Sequence, residues 1–488
     1  MKRVLVIHPF LVAIHPILCL FAVNFGEFSP REIAIPMILI TCFTLILWLL
    51  LSFLIKNRQK AGLFLSIEML LFFSIGPLCR VVYNVTDSLE LSSILLPTWI
   101  ILLVLVAYGS LRVHRSLQKL TRLLNAIAVF LVATSGIYIG VHYIRSVTAI
   151  PVVQSMEDIE LSSEDLEKVP YLPNIYYIIL DGYARGDILE ELYQYNNSEF
   201  LDHLKRKGFY VASKSRSNYT QTALSLASSL NFEYLNDLEI DAEYGNRLPL
   251  IKMIRDNKVI HLLKQHGYTI VAFSSGCSLT EITNADIYIR TGHLGMLGNA
   301  LISSVLPPNL ARGLRMQYNI HRKSILYTFG RLAKTSELKA PIFVFAHILA
   351  PHPPFVFGEH GEERTPNKIF WFSDGNHFTN QKETAINEYR RDYISQLRII
   401  SERTKAMIDY ILSKSDKPPI IILQADHGPG SMLDWEDPNN TYIKERMAIL
   451  NAYYLPDNGH KLLYDEITPV NTFSPLGLRL SARRAQYF

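Results

Sequence analysis

Three apolar stretches of this sequence end abruptly in residues able to do chemistry. IYYIILDGYARGD delivers Asp181 directly after six apolar residues, VFAHILAPHPPF holds His347 and His352 five apart in a proline-rich turn, and IIILQADHGPGS places Asp426 beside His427 ahead of two glycines. Carboxylates and imidazoles are good ligands for a divalent ion, and adjacent residues at a strand end can reach one ion. Proline restricts the backbone and so suits a histidine that must stay in place. A fourth stretch, SNYTQTALSLASSL (217–230), starts with hydroxyls and an amide and becomes a small, apolar, helix-like run. Threonine is a poor nucleophile unless a base, a metal or a helix N-terminus activates it. A helix starting near Thr222 would aim unpaired N–H groups and its positive end at an anion. An ion held by Asp181, Asp426 and His427 would lower the pKa of the hydroxyl. The competing reading is that Ser217, Asn218 or Thr220 merely caps the helix, and that Asp181 is a turn residue before glycine.

These groups need elements to hold them. Short β-rich runs at 174–180, 208–213, 268–273, 341–348, 418–425 and 448–455 alternate with helical patterns at 187–207, 222–232, 247–266 and 380–414. Nearly continuous apolar strands bounded by helices indicate a sheet covered on both faces, an α/β sandwich. Open α/β sheets place their sites at the carboxyl ends of strands, where Asp181, the His347/His352 turn and Asp426-His427 all fall.

The first part of the chain is different. With 488 residues, 49% hydrophobic, and a mean hydropathy of +0.15, the protein is more apolar than a typical soluble one. Its long uncharged runs lie at about 4–23, 33–55, 61–79, 94–109 and 123–141. A helix needs ~20 apolar residues to cross a bilayer, which makes these five candidate spans. Lys2, Arg3, Lys56, Arg58, Lys60, Arg112, Arg115, Lys119 and Arg122 fall on one side, against Arg31 and Arg80 on the other. The positive-inside rule makes the first side, with the N-terminus, cytoplasmic. Residues 1–145 are therefore expected to be a multi-pass inner- or plasma-membrane domain, 146–173 a polar juxtamembrane linker, and 174–488 an extracytoplasmic catalytic domain with no access to cytosolic ATP. Within the spans, His8, His15 and Glu68 invite a proton-relay or headgroup role, or simply packing between helices. A net charge of +4 spread over the chain shows no basic stripe, which excludes nucleic-acid binding. Cys277 is the single cysteine beyond the spans, so the outer domain has no internal disulfide.

In this order, Asp181, Thr222, His347/His352 and Asp426-His427 resemble the alkaline phosphatase and sulfatase superfamily. The resemblance is narrower to its membrane-anchored branch of phosphoethanolamine transferases and lipoteichoic acid synthases. In the transferases the second threonine of T-x-T-A-x-S attacks; here the pattern is Thr220-Gln221-Thr222-Ala223-Leu224-Ser225. Their metal-binding Asp-His-Gly is matched by Asp426-His427-Gly428, their first-strand acid by Asp181, and their two histidines by His347 and His352. The Cys-x-Pro-x-Arg motif of sulfatases is absent. The chain departs from the pattern twice: its first-strand acid is aspartate instead of glutamate, and SMLDWEDPNNT (431–441) lacks the further histidine of the transferases.

The resemblance implies a five-helix transmembrane domain followed by an α/β alkaline-phosphatase-like domain, a mostly parallel sheet sandwiched by helices. It implies a zinc, manganese or magnesium ion on Asp181, Thr222, Asp426 and His427. It also implies transfer of a phosphoethanolamine or phosphoglycerol headgroup from a membrane phospholipid to an envelope glycan or lipid. Thr222 would carry the group covalently, His352 would serve the leaving or entering oxygen, and His347 would act in support. The alternatives are a phosphodiesterase, phosphatase or sulfatase of the same fold, and a non-catalytic lipid-binding regulator.

Overall fold

A computed structural model describes residues 4–28, 32–86, 89–112, 116–148, 172–236, 247–306, 310, 315–364, 370–372, 374–456 and 459–473. The described residues of Met1–Ile150 and Met296–Gln317 form one compact unit, and those of Pro151–Ile240, Arg247–Gly295 and Tyr318–Phe488 form a second.

The N-terminal part of the first unit has, among the described residues, five helices, α1 (His8–Val23), α2 (Ala34–Ile55), α3 (Arg58–Thr86), α4 (Leu89–Arg112) and α5 (Gln118–Thr148). By length and composition, Ala34–Ile55, Arg58–Val82 and Gln118–Arg145 are long and apolar enough to cross a membrane, while His8–Val23 and Ile94–Gly109 are shorter apolar helices. α2 exposes Ile35, Ile38, Leu39, Phe43, Leu49, Phe53 and Leu54, the outward face expected against lipid. Polar groups inside the helices find one another: His8 Nδ1 lies 2.6 Å from Ser66 Oγ, and Asn125 Oδ1 accepts from the His8 amide at 3.0 Å. Those bonds tie α1 to α3 and α5, in keeping with a packing role for His8.

The second unit is built on seven strands: β1 (Ile175–Leu180), β2 (Tyr210–Val211), β3 (Thr269–Phe273), β4 (Ile287–Ile289), β5 (Ile342–Ile348), β6 (Ile420–Gln424) and β7 (Asn451–Tyr454). Their order is β2-β7-β6-β1-β5-β3-β4. The pairs β1–β5, β1–β6, β3–β5 and β3–β4 are parallel, and β7 runs antiparallel to β2 and β6. Every residue of β1, β5 and β6 is buried. One face of the sheet packs Ile178, Leu180, Val344 and Leu423 against Tyr389, Tyr393 and Leu397. The other packs Ile179, Phe345 and Ile422 against Leu226, Leu230 and Ile254. This two-sided burial explains why the strands read as unbroken apolar runs.

All six expected strands are present. β4 is short and escapes a periodicity search. The helical pattern 187–207 forms two helices, Gly186–Tyr193 and Ser198–Arg206, because Gln194 turns left-handed at φ +51°. The pattern 247–266 also splits, at Asn257, whose side chain accepts from the Ile260 amide and caps Lys258–Gln265. The helix Met316–Lys334 was not visible in the apolar pattern.

Candidate active site

Register brings the strand ends together. Ile179 of β1 lies opposite His347 of β5 and Gln424 of β6, so the residues just beyond each strand leave the same edge side by side. Asp181 then donates its amide to Ile348 O at 3.0 Å, and His352 donates its amide to Asp181 O at 3.0 Å, joining the two loops. Gly182 turns the first loop at φ +72°. Gly428 is required for a different reason: a Cβ there would stand 2.0 Å from Glu445 O.

The long helix Glu383–Lys414 braces these loops from one side. Tyr393 Oη donates to Gly182 O at 2.9 Å and accepts from the Ala184 amide at 3.0 Å. Gln396 Nε2 donates to His352 O at 3.0 Å. Tyr389 Oη donates to Asp374 Oδ1 at 2.7 Å and accepts from the Gly430 amide at 3.1 Å. In the sequence Tyr389 and Tyr393 look like part of the apolar stripe of a helix, but their hydroxyl tips hold the site.

Thr222 is the first residue of the helix Thr222–Asn231, whose cap position, Gln221, makes no side-chain capping bond. The capping alternative therefore fails for Ser217, Asn218 and Thr220 alike. Ser217 Oγ and Ser225 Oγ each donate to Asp426 O at 2.6 Å, and Asn218 binds Thr468 and the Val470 amide. The stretch is thus fastened to the Asp426 loop, and Thr222 Oγ1 comes within 3.1 Å of His427 Nε2. Thr222 and His352 are partly exposed, whereas Asp181, Asp426, His427 and His347 are buried.

Asp181, Asp426 and His427 offer ligand atoms that all lie within 4.8 Å of one another. Each carboxylate has one oxygen engaged: His347 Nε2 donates to Asp181 Oδ2 at 3.1 Å, and the Gly182 amide donates to Asp426 Oδ1 at 3.2 Å. The other two, Asp181 Oδ1 and Asp426 Oδ2, are buried without a hydrogen-bond partner among the described residues. The protonation of His427 follows from its neighbours. Its Nδ1 is 2.9 Å from Gly428 O, which can only accept. Its Nε2 is 3.1 Å from Arg446 Nη2, which can only donate. His427 therefore carries its proton on Nδ1, and its Nε2 lone pair faces Asp426 Oδ2 at 3.3 Å and Asp181 Oδ1 at 3.7 Å. Three lone-pair donors facing inward in a buried space suit a divalent ion.

The electrostatics agree. Burial, and after it the charge of Arg446, push the His427 pKa down, which keeps the imidazole neutral. Burial alone would raise Asp181, but His352, His347 and His427 outweigh it and hold the carboxyl well below its ordinary range. His347 is raised, because its bond to Asp181 overcomes the burial that works against its charge. It also lies 2.8 Å from Thr280 Oγ1, so it acts from behind Asp181. His352 faces the other way, its Nε2 3.7 Å from Asp374 Oδ2.

Two residues were missed in the sequence. Asp374 and Arg446 are both buried and form an ion pair at 2.6 Å. Arg446 also donates to Thr220 O at 2.9 Å and Gly428 O at 3.0 Å. The DG of WFSDG and the KER of YIKERM read as solvated turn and helix residues. No local signal marks a charged pair that meets only in the fold.

A mostly parallel α/β sheet whose carboxyl edge gathers Asp, Asp-His and a helix-terminal threonine defines an enzyme of the alkaline phosphatase superfamily. The sulfatase family profile matches residues 173–474, and the chain belongs to the sulfatase family. No curated protein sequence matches it. Among solved structures it is similar to the C-terminal periplasmic domain of EptC from Escherichia coli in complex with Zn, at 12% identity and TM-score 0.41 over 64% of this chain and 84% of that one. It is similar to the integral membrane lipooligosaccharide phosphoethanolamine transferase A from Neisseria meningitidis, at 13% identity and TM-score 0.39 over 98% and 97%. A sulfatase from a glycosaminoglycan-metabolism locus of Bacteroides thetaiotaomicron matches at 15% identity and TM-score 0.42 over 65% and 74%.

Proposed function

We propose that the protein transfers a phospho-headgroup, of phosphoethanolamine or phosphoglycerol type, from a membrane phospholipid to an envelope glycan or lipid through a phospho-Thr222 intermediate. The observation that carries this reading is Thr222 Oγ1, partly open to solvent, at a helix N-terminus and 3.1 Å from the lone pair of His427. Residues Asp181, Asp426 and His427, with Thr222, would hold a divalent ion of zinc, manganese or magnesium type. When bound, such an ion supplies positive charge that favours the threonine alkoxide and neutralises the phosphodiester. The rest falls to the chain itself. Thr222 Oγ, partly open to solvent, gives its proton to water and bonds to phosphorus as the ester bond between phosphorus and diacylglycerol breaks. The leaving oxygen takes a proton from His352, whose Nε2 lies 3.7 Å from Asp374 Oδ2. The amide groups of the Thr222–Asn231 first turn face the charge that builds on phosphorus. In the second half an acceptor hydroxyl bonds to phosphorus, gives its proton to His352 and releases Thr222 Oγ, which regains a proton from water. His347 holds Asp181 in position throughout.

Five apolar helices ahead of this domain favour a donor resident in the membrane, with the N-terminus cytoplasmic, the catalytic domain extracytoplasmic and no need for ATP. The family name favours a second reading, hydrolysis, in which water takes the place of the acceptor. Intact mass of the purified protein after incubation with total membrane lipid tests both. A headgroup-phosphate adduct on Thr222 that acceptor discharges faster than water supports transfer. An adduct that water clears equally fast means hydrolysis, and full activity in T222A would refute the covalent mechanism.

A further inference from the structure

Arg446 is among the largest fully buried side chains of the chain, with 2% exposure. Its Nη1 faces Asp374 and Gly428 O, its Nε faces Thr220 O, and its Nη2 has one partner among the described residues, the Nε2 lone pair of His427. The Trp435 ring lies 5.7 Å from the guanidinium carbon, and Trp435 Nε1 donates to Asp374 O at 3.1 Å, so indole and carboxylate fix the guanidinium together. His427 cannot offer one lone pair both to an ion and to Arg446. With that lone pair committed to an ion, Nη2 retains a buried N–H without an acceptor, an expensive state for a charged donor. Thr222 Oγ1 lies 3.1 Å from the same His427 nitrogen, as Nη2 does, so an acceptor at Thr222 would be close to Nη2.

We infer that Arg446 is a phosphoryl-binding residue: its Nη2 exchanges His427 Nε2 for a non-bridging oxygen of the phosphoryl group at Thr222. The guanidinium is then a second, covalently built-in cation at the site. This rests on the phosphoryl chemistry proposed for Thr222, and it assigns a residue to the charge that develops on phosphorus. Arginine suits the task because its planar fork stays bound to Asp374 through Nη1 while Nη2 changes partner.

The test measures binding of inorganic phosphate and of zinc to the full-length, detergent-solubilised protein by titration calorimetry, in wild type, R446K and the charge-balanced double variant D374N/R446M. Arg446→Lys keeps a charge beside Asp374 but loses the fork; the double variant leaves no buried carboxylate unpaired. The expected result is phosphate affinity of the zinc-loaded protein weaker by about tenfold or more in both, the loss of one charge-assisted hydrogen bond. Zinc affinity without phosphate should be undiminished or tighter, since no guanidinium then competes for His427. Phosphate affinity within about twofold of wild type in either folded variant would overturn the inference. A parallel fall in zinc affinity would also overturn it, assigning Arg446 to ligand geometry alone, as would loss of cooperative thermal unfolding in both variants. Phosphate binding needs no transfer, so this outcome is independent of whether Thr222 forms an adduct.

Discussion

Gly428→Ala isolates close approach from every other reason for a glycine, because Gly428 is not among the residues at positive φ. The added Cβ would stand 2.0 Å from Glu445 O and 3.1 Å from Ala448 O. Relief requires these atoms to separate by roughly 1–1.5 Å, and the first obstacle is backbone, which cannot rotate aside as a side chain could. Three hydrogen bonds stretch in consequence: Gly428 N to Arg446 O at 2.7 Å, His427 Nδ1 to Gly428 O at 2.9 Å, and Arg446 Nη1 to Gly428 O at 3.0 Å. Overpacking costs ~1–3 kcal/mol, and weakening three hydrogen bonds of ~1 kcal/mol each brings the total to about 3–5 kcal/mol. For a domain of this size that corresponds to a fall in Tm of roughly 10 °C. Thermal unfolding of the solubilised chain reads the stability loss, and zinc titration reads the accompanying disorder of His427. A Tm within about 2 °C of wild type, with unchanged zinc affinity, would refute the close-approach reasoning.

His347→Ala removes the donor behind Asp181 and should weaken zinc binding by about 10- to 100-fold in a competition titration with a chelating dye. Chelation of the loaded protein should lower its unfolding temperature, since an ion present at ~1,000 times its Kd contributes about 4 kcal/mol to the folded state; an unmoved transition would argue against a resident ion. Burial raises the pKa of Glu445 despite its bonds from Ser431, Tyr193 and the Met432 amide. An acid raised on folding contributes stability that is full below its unfolded pKa and is lost as pH rises through the folded value. Urea titrations of wild type and E445Q from acid to neutral pH should therefore show wild type losing ground to the variant as pH rises, and a pH-independent difference would count against it.

What was legible in the sequence is what local physics writes there. β1, β5 and β6 are buried on both faces, so they announce themselves as apolar runs, and Asp181, His347 and Asp426-His427 stand out because polar residues interrupt them. Thr222 was legible as a candidate, but its alternative as a capping segment could be dismissed only once Ser217 and Asn218 were seen bonded elsewhere. Asp374 and Arg446 were not legible, because each sits in a polar stretch and becomes buried only through the other. Tyr389 and Tyr393 carried the right periodicity and hid their function in their hydroxyl tips.

β1 is the central strand, yet both of its neighbours arrive late. Asp181 meets His347 166 residues further along the chain, and Gly182 meets Asp426 after 244. A chain made from its N-terminus therefore holds IYYIIL, six apolar residues with high strand propensity, while residues 181–341 are made and before either flank exists to cover it. Such a segment invites pairing with the wrong partner. The ligand set cannot assemble before Asp426-His427 has been made, so capture of an ion would report that the sheet has closed.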